Sequence, residues 1–173
     1  YADITGGSIH DNTAEKSGGA IAFNSGRLTV GAVEIYGNSA NGTHSGFSDE
    51  STSIIGGGAA IYAESNKQAD AELTVSGASI HDNRAAGLGG AICIVDCHNL
   101  NDIEAAITGV DLHGNIASNG DAVYIGNSNG TYGYPSVTLS GTNFLEGDIA
   151  IGLAAATDGP VLTVGEGYSN TER

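Results

Sequence analysis

The sequence contains no methionine and no tryptophan, and it carries only five lysine or arginine residues against twenty aspartates and glutamates. The five cations, Lys16, Arg27, Lys67, Arg84 and Arg173, are scattered. A nucleic-acid binder needs a basic face to displace counterions from phosphate, so that class is excluded. Attraction to an anionic membrane surface is excluded on the same ground. No run approaches the roughly 18 apolar residues of a membrane span, and no charged-then-apolar leader is present. Aromatic residues are few, seven tyrosines and three phenylalanines, so any core is built from Ile, Leu, Val and Ala. Cysteine is limited to Cys93 and Cys97, in CIVDC. Without a second Cys or His pair this spacing does not make a structural zinc site. A local disulfide in an oxidising compartment and two partly buried thiols both fit it. The chain opens on Tyr1 rather than methionine, within a β-prone stretch, and is expected to be a processed product or part of a longer, secreted protein.

What the sequence has in quantity is glycine, 28 residues spread along its length without a G-X-Y period, which excludes collagen. It also has a repeat. The stretch from Leu73 to Ile94, LTVSGASIHDNRAAGLGGAICI, recurs as ITGGSIHDNTAEKSGGAIAF from Ile4 and as VGAVEIYGNSA from Val30 with GGGAAIYA from Gly56. Further copies are ITGVDLHGNIASNGDAVYI from Ile107 and a fainter LSGTNFLEGDIAIGL from Leu139. Self-similarity at an interval of roughly 20–50 residues marks a stacked-repeat fold. The expectation is an all-β, right-handed, single-stranded parallel β-helix of about five to six coils with three short strands per coil, one domain over residues 1–173.

Aligned on their asparagines, the copies place Ile9, Ile35, Ile80, Leu112 and Phe144 in one inward column. Three residues later come Asn12, Asn38, Asn83 and Asn115, where a repeated amide predicts a ladder of side-chain hydrogen bonds between neighbouring coils. Asparagine also tolerates the left-handed backbone of a corner. Ala14, Ala40, Ala85 and Ala117 follow, small enough to face inward at a turn. A second core column is Ile21, Ile61, Ile92, Val123 and Ile151, with Phe23, Ala63, Ile94, Ile125 and Leu153 two positions on. The residues between, Ala22, Tyr62, Cys93, Tyr124 and Gly152, are expected to face outward under period-two alternation. Glycine pairs such as Gly18-Gly19 and Gly89-Gly90 relieve crowding at the corner leading into that strand. A third strand is read from Leu28-Thr29-Val30, Leu73-Thr74-Val75, Val137-Thr138-Leu139 and Leu162-Thr163-Val164. At about 4.8 Å per coil the stack would be roughly 25–30 Å long. Four connecting segments vary between copies, 41–55, 64–72, 95–105 and 126–136, and variable loops on a rigid repeat are where recognition commonly resides.

An apolar residue, two spacers and Asn, followed by Gly-Gly-Ala-Ile, resembles the FxxN and GGA[ILV] repeats of the polymorphic outer-membrane proteins and related bacterial surface proteins. The motifs here are IHDN at Ile9 to Asn12 and Ile80 to Asn83, and GGAI at Gly18 to Ile21 and Gly89 to Ile92. IYGN at Ile35 to Asn38 and LHGN at Leu112 to Asn115 are looser copies. The resemblance implies a right-handed β-helix displayed on a bacterial surface as an adhesin or stalk, and it brings no catalytic residues.

Enzymes also use stacked coils. A lyase acting beside a uronate carboxylate wants a Lys or Arg base near Asp-bound calcium, and a hydrolase wants converging carboxylates. Neither pattern is present: Asp11 and Asp82 share an aligned position that Gly37 and Gly114 fill in the other copies. His10, His81 and His113 share a column with Tyr36 and Leu145, which reads as outward ring stacking rather than a metal site. No cofactor is expected. Calcium is the one ion that Asp49 and Glu50, or Asp96, Asp102 and Glu104, would suit chemically, although the acidic spacing of known calcium loops is missing. The glycosylation sequons at Asn41 and Asn129 lie in connecting segments. The functional expectation is a non-enzymatic extracellular surface protein. Its partner would be a surface protein or glycan of a host or neighbouring cell, or copies of itself stacked end to end into a filament. A polysaccharide lyase or hydrolase stands as the enzymatic alternative.

Overall fold

The computed structural model describes residues 1–42, 56–65, 69–96, 102–127, 135–152 and 160–171. Among these the chain is all-β, with strands and turns and no helix. Every strand pairing is parallel, and each successive partner lies one sequence repeat further on.

The longest sheet contains Ala2–Thr5, Gly26–Gly31, Ala71–Ser76, Ile103–Thr108, Ser136–Ser140 and Val161–Val164, in that order. Its inward ranks are Leu28, Leu73, Ala105 and Val137, and Val30, Val75, Ile107 and Leu139, all buried. A second sheet begins Ser8–His10, Glu34–Tyr36, Ser79–His81, Asp111–His113 and ends with Thr142–Leu145 and Ser169–Asn170. Ile9, Ile35, Ile80 and Leu112 share one register position in it, and the last three are fully buried. A third sheet, of Ile21–Phe23, Ile61–Glu64, Ile92–Asp96, Val123–Asn127 and Ile149–Ile151, follows the glycine-rich corner. The side chains of the inward positions of all three meet in one aliphatic cluster, as period-two patterning requires when one face of each strand is buried.

A fourth sheet was not anticipated. Thr13–Ala14, Ser39–Ala40 and Arg84–Ala85 pair as two-residue strands, with Ala40, Ala59 and Ala85 forming a separate small core. The alanines keep this corner narrow enough for backbones to pair across it.

Corner geometry explains a puzzling column. Asp11, Gly37, Asp82 and Gly114 all have positive φ, between 55° and 64°. An L-residue pays for that region, and Asp and Gly are among the few that enter it readily. A Cβ on Gly37 would approach Asp11 Oδ1 to 2.7 Å, so the aspartate of one repeat overhangs the glycine of the next. These aspartates therefore serve a backbone turn, which accounts for their failure to line up as catalytic acids.

The last repeat departs from the expected register. Phe144 sits opposite Asp111, and it is Leu145 that lies opposite Leu112 in the core column. The cause is Asn143, which is buried at the position of Val110 and accepts a 3.1 Å bond from the Val110 amide. A one-residue change of register exchanges the faces of a strand, and this side chain selects which one is used. Ile151 likewise pairs with Ile125, while Ile149 occupies the position of Val123. The corner that precedes this strand is shortened to Glu146, Gly147 and Asp148, with Gly147 at positive φ, and the Asp148 carboxylate accepts the amides of Asp121 (2.8 Å) and Gly120 (3.3 Å) from the repeat before.

Candidate functional site

The side chains that could meet a partner lie on the outward faces, and the asparagine ladder holds those faces in register. The amide and Nδ2 of Asn12 donate to Asn38 Oδ1 at 3.0 and 2.9 Å. Asn38 repeats both bonds to Asn83 Oδ1, at 3.0 Å each, and Asn83 repeats them to Asn115 Oδ1, at 3.1 and 3.0 Å. Each Nδ2 also donates to backbone: Asn38 to Tyr36 and Ile9, Asn83 to His81 and Ile35, Asn115 to Ile80. Asn38, Asn83 and Asn115 are at most 5% exposed, so these bonds are made where water does not compete.

Outside the ladder runs a column of rings. His10 and Tyr36 stack with centroids 4.8 Å apart, Tyr36 and His81 at 5.2 Å, and His81 and His113 at 4.8 Å. Phe144 closes the column edge-on to His113 at 6.2 Å, from a register position different from that of the other rings. Leu145, expected here, is in the core instead. Carboxylates flank each imidazole: Asp11 on His10, Asp82 and Glu34 on His81, and Asp111 on His113, at 2.8 to 3.2 Å. Partial burial pulls the His81 pKa down, but the hydrogen bonds its ring donates to Asp82 and Glu34, together with their charges, outweigh it, leaving the pKa raised above 6.5.

The expected outward column of the third sheet is partly covered. Tyr62, Cys93 and Tyr124 are buried, packed with Leu88 and Val95 in a second apolar cluster. Cβ atoms on Gly57 and Gly126 would strike Cys93 Sγ and the Tyr124 ring at 2.8 and 2.7 Å, so these glycines admit the larger groups. Burial drives the Tyr124 hydroxyl up to about 12, assisted by Cys93. Cys97 lies outside the described residues, and with it the proposed bridge to Cys93.

The longest sheet presents its other face to solvent. Its central outward rank reads Asp3, Thr29, Thr74, Ala106, Thr138 and Thr163. Beside it run Arg27, Glu72, Glu104 and Ser136. Where Ala106 replaces threonine the surface dips into a trough of about 250 Å³, open to solvent, lined by Glu72, Thr74, Glu104, Ala106, Ser136 and Thr138 among others. Glu72 and Glu104 are directly opposed across the strand pair. Arg27 Nη2 reaches Glu72 at 2.9 Å, whereas Glu104 has no ion pair among the described residues. This trough was missed in sequence, although its signal was there: a hydroxyl between two aliphatics in four of the copies read as the third strand.

The acids suggested for calcium have different surroundings. Asp96 is buried and accepts the Ser65 hydroxyl at 2.6 Å, Glu104 faces the trough, and Asp49 and Glu50 lie outside the described residues. Among the described residues no group of three or more His, Cys, Asp or Glu is placed to hold a metal ion. No match to this chain is found among protein families, curated proteins or solved structures.

Proposed function

We propose that the chain is a right-handed, single-stranded parallel β-helix and that it serves as a non-enzymatic module of an extracellular, bacterial-type surface protein, acting as adhesin or stalk. The observation that carries this reading is the unbroken register. Equivalent residues of successive repeats pair one above another in the longest sheet from Ala2–Thr5 to Val161–Val164, and the polar residues on the exposed faces form ranks rather than a converging cluster. Such a scaffold holds long, flat surfaces rigidly, which suits multivalent contact with a repetitive partner. Among the described residues, the exposed acids lie in ranks rather than in the converging set that polysaccharide cleavage requires, which supports the non-enzymatic reading.

One feature favours a second reading, self-assembly into a filament. Among the described residues, Ala2–Thr5 and Val161–Val164 each pair on one side only, leaving strand edges that could accept another copy head to tail. Sedimentation across a dilution series separates the two. A monomer at every concentration that still binds cells or immobilised glycans supports the adhesin; concentration-dependent rods replace it with the filament. Turnover of any polysaccharide by the purified chain would defeat both.

A further inference from the structure

We infer that the trough on the longest sheet is a subsite for a positively charged, amine-bearing sugar unit within a longer chain that lies along the stacking direction. Three observations lead there. The trough, at about 250 Å³, is smaller than the roughly 300–1,000 Å³ pockets that enclose drug-sized ligands, which leaves room for one ring-sized unit of a longer molecule. Its lining offers Thr74, Thr138 and Ser136 hydroxyls and two carboxylates, groups that match the hydroxyls of a sugar and the N–H donors of an ammonium. The threonine rank continues above and below at Thr29 and Thr163, so a repeating ligand meets repeating partners.

Charge selects the class of sugar. Glu72 and Glu104 oppose each other directly, an arrangement that destabilises a strand pair, and only Glu72 has a cation beside it. A protonated amine in the trough would neutralise Glu104. Uronates and sulfated glycans are repelled by the same carboxylates and by a chain of net charge −15. A basic peptide would find the charges but little else. The backbone groups of this sheet's inner strands are engaged with neighbouring strands, so an extended peptide gains no main-chain pairing on the face.

This inference deepens the adhesin reading by giving it a ligand, and it is tested apart from it. Titrations of the whole chain would use four probes: glucosamine oligomers with free amines, their fully N-acetylated counterparts, oligogalacturonate and oligolysine. The free-amine oligomer should bind, weaken as salt rises, and exceed each of the others. Ala106→Thr completes the threonine rank with a residue that strands favour and fills the dip; binding should be lost with the unfolding midpoint kept. Glu104→Gln should weaken binding about fivefold, the scale of one exposed ion pair, while leaving stability equal or higher because the like-charge contact is gone. Equal binding of acetylated oligomers or of oligolysine, or unchanged binding by both variants, overturns the assignment. So does absence of binding by the unaltered chain, and a parallel cell-adhesion assay on the same preparation then reports whether the adhesin reading survives without it.

Discussion

Replacing Asn83 by alanine tests the ladder where it is most enclosed. The side chain has five hydrogen-bond partners: the two Nδ2 hydrogens are shared among Asn115 Oδ1, Ile35 O and His81 O, and Oδ1 accepts from the amide and Nδ2 of Asn38. Asn38 Nδ2 keeps its bonds to Tyr36 and Ile9, but the Asn38 amide is left facing a methyl group in a buried site. An orphaned buried donor costs about 1–3 kcal/mol, and the remaining lost bonds about 1 kcal/mol net each, with overlap between them. Asn83→Ala should therefore destabilise by roughly 3–5 kcal/mol. At about 2 kcal/mol per molar urea this moves the unfolding midpoint down by roughly 2 M. Asn12→Ala is the control. Asn12 is exposed and has a ladder neighbour only on the Asn38 side, so its loss should stay under about 1 kcal/mol. Urea unfolding followed by far-UV circular dichroism measures both. Near-equal costs for the two variants, or an Asn83→Ala variant within 1 kcal/mol of the parent by that measure, would show that the amides decorate the corner instead of holding it.

Three other outcomes are expected. The His81 pKa is raised in the folded chain, so the stabilisation from its protonated form is complete below the unfolded value near 6.5 and is lost as pH rises through the folded pKa. Unfolding midpoints should thus decline from mildly acidic to neutral pH, with Glu34, Asp82, Tyr36 and His113 the groups around the ring, and His81→Gln should flatten that slope; an identical slope in the variant would assign it elsewhere. Ala32 has a φ of 48° in a corner where Gly6, Gly77, Gly109 and Gly141 have φ of 62° to 75°. Ala32→Gly should raise stability by about 0.5–1 kcal/mol, read as a higher thermal midpoint. Finally, Ile92→Ala removes a fully buried member of the core column and should cost about 2–5 kcal/mol, whereas Ile151→Ala, at a 41% exposed site, should cost well under half of that. Similar losses in a parallel denaturation series would contradict the exposure of Ile151 at the end of its sheet.

The inward columns were legible in sequence because burial of one strand face imposes a strict period of two and stacking repeats it in every copy. Ile9, Ile35, Ile80 and Leu112 therefore align from spacing alone, and so do the four asparagines three residues later. The final copy was misread for a physical reason. Its alignment rested on one phenylalanine and a missing asparagine, while the register is fixed by Asn143, accepting at 3.1 Å from the Val110 amide, and by Asp148, whose carboxylate accepts the Gly120 and Asp121 amides in place of the corner carbonyls that do so between other repeats. Both are single polar side chains acting across repeats, with no periodic signature of their own.

The sequence by itself determined which residues face inward and where the repeated corners fall, because both follow from a repeating burial pattern; it assigned the left-handed backbone to the asparagines, whereas the structure puts it one residue earlier, at Asp11, Gly37, Asp82 and Gly114. Only the tertiary structure decided that Tyr62, Cys93 and Tyr124 are covered, that Glu72 opposes Glu104, and that Ala106 opens a trough between two threonines. Those features depend on which residues of different repeats lie side by side, and the unequal lengths of the intervening segments hide that until the strands are paired.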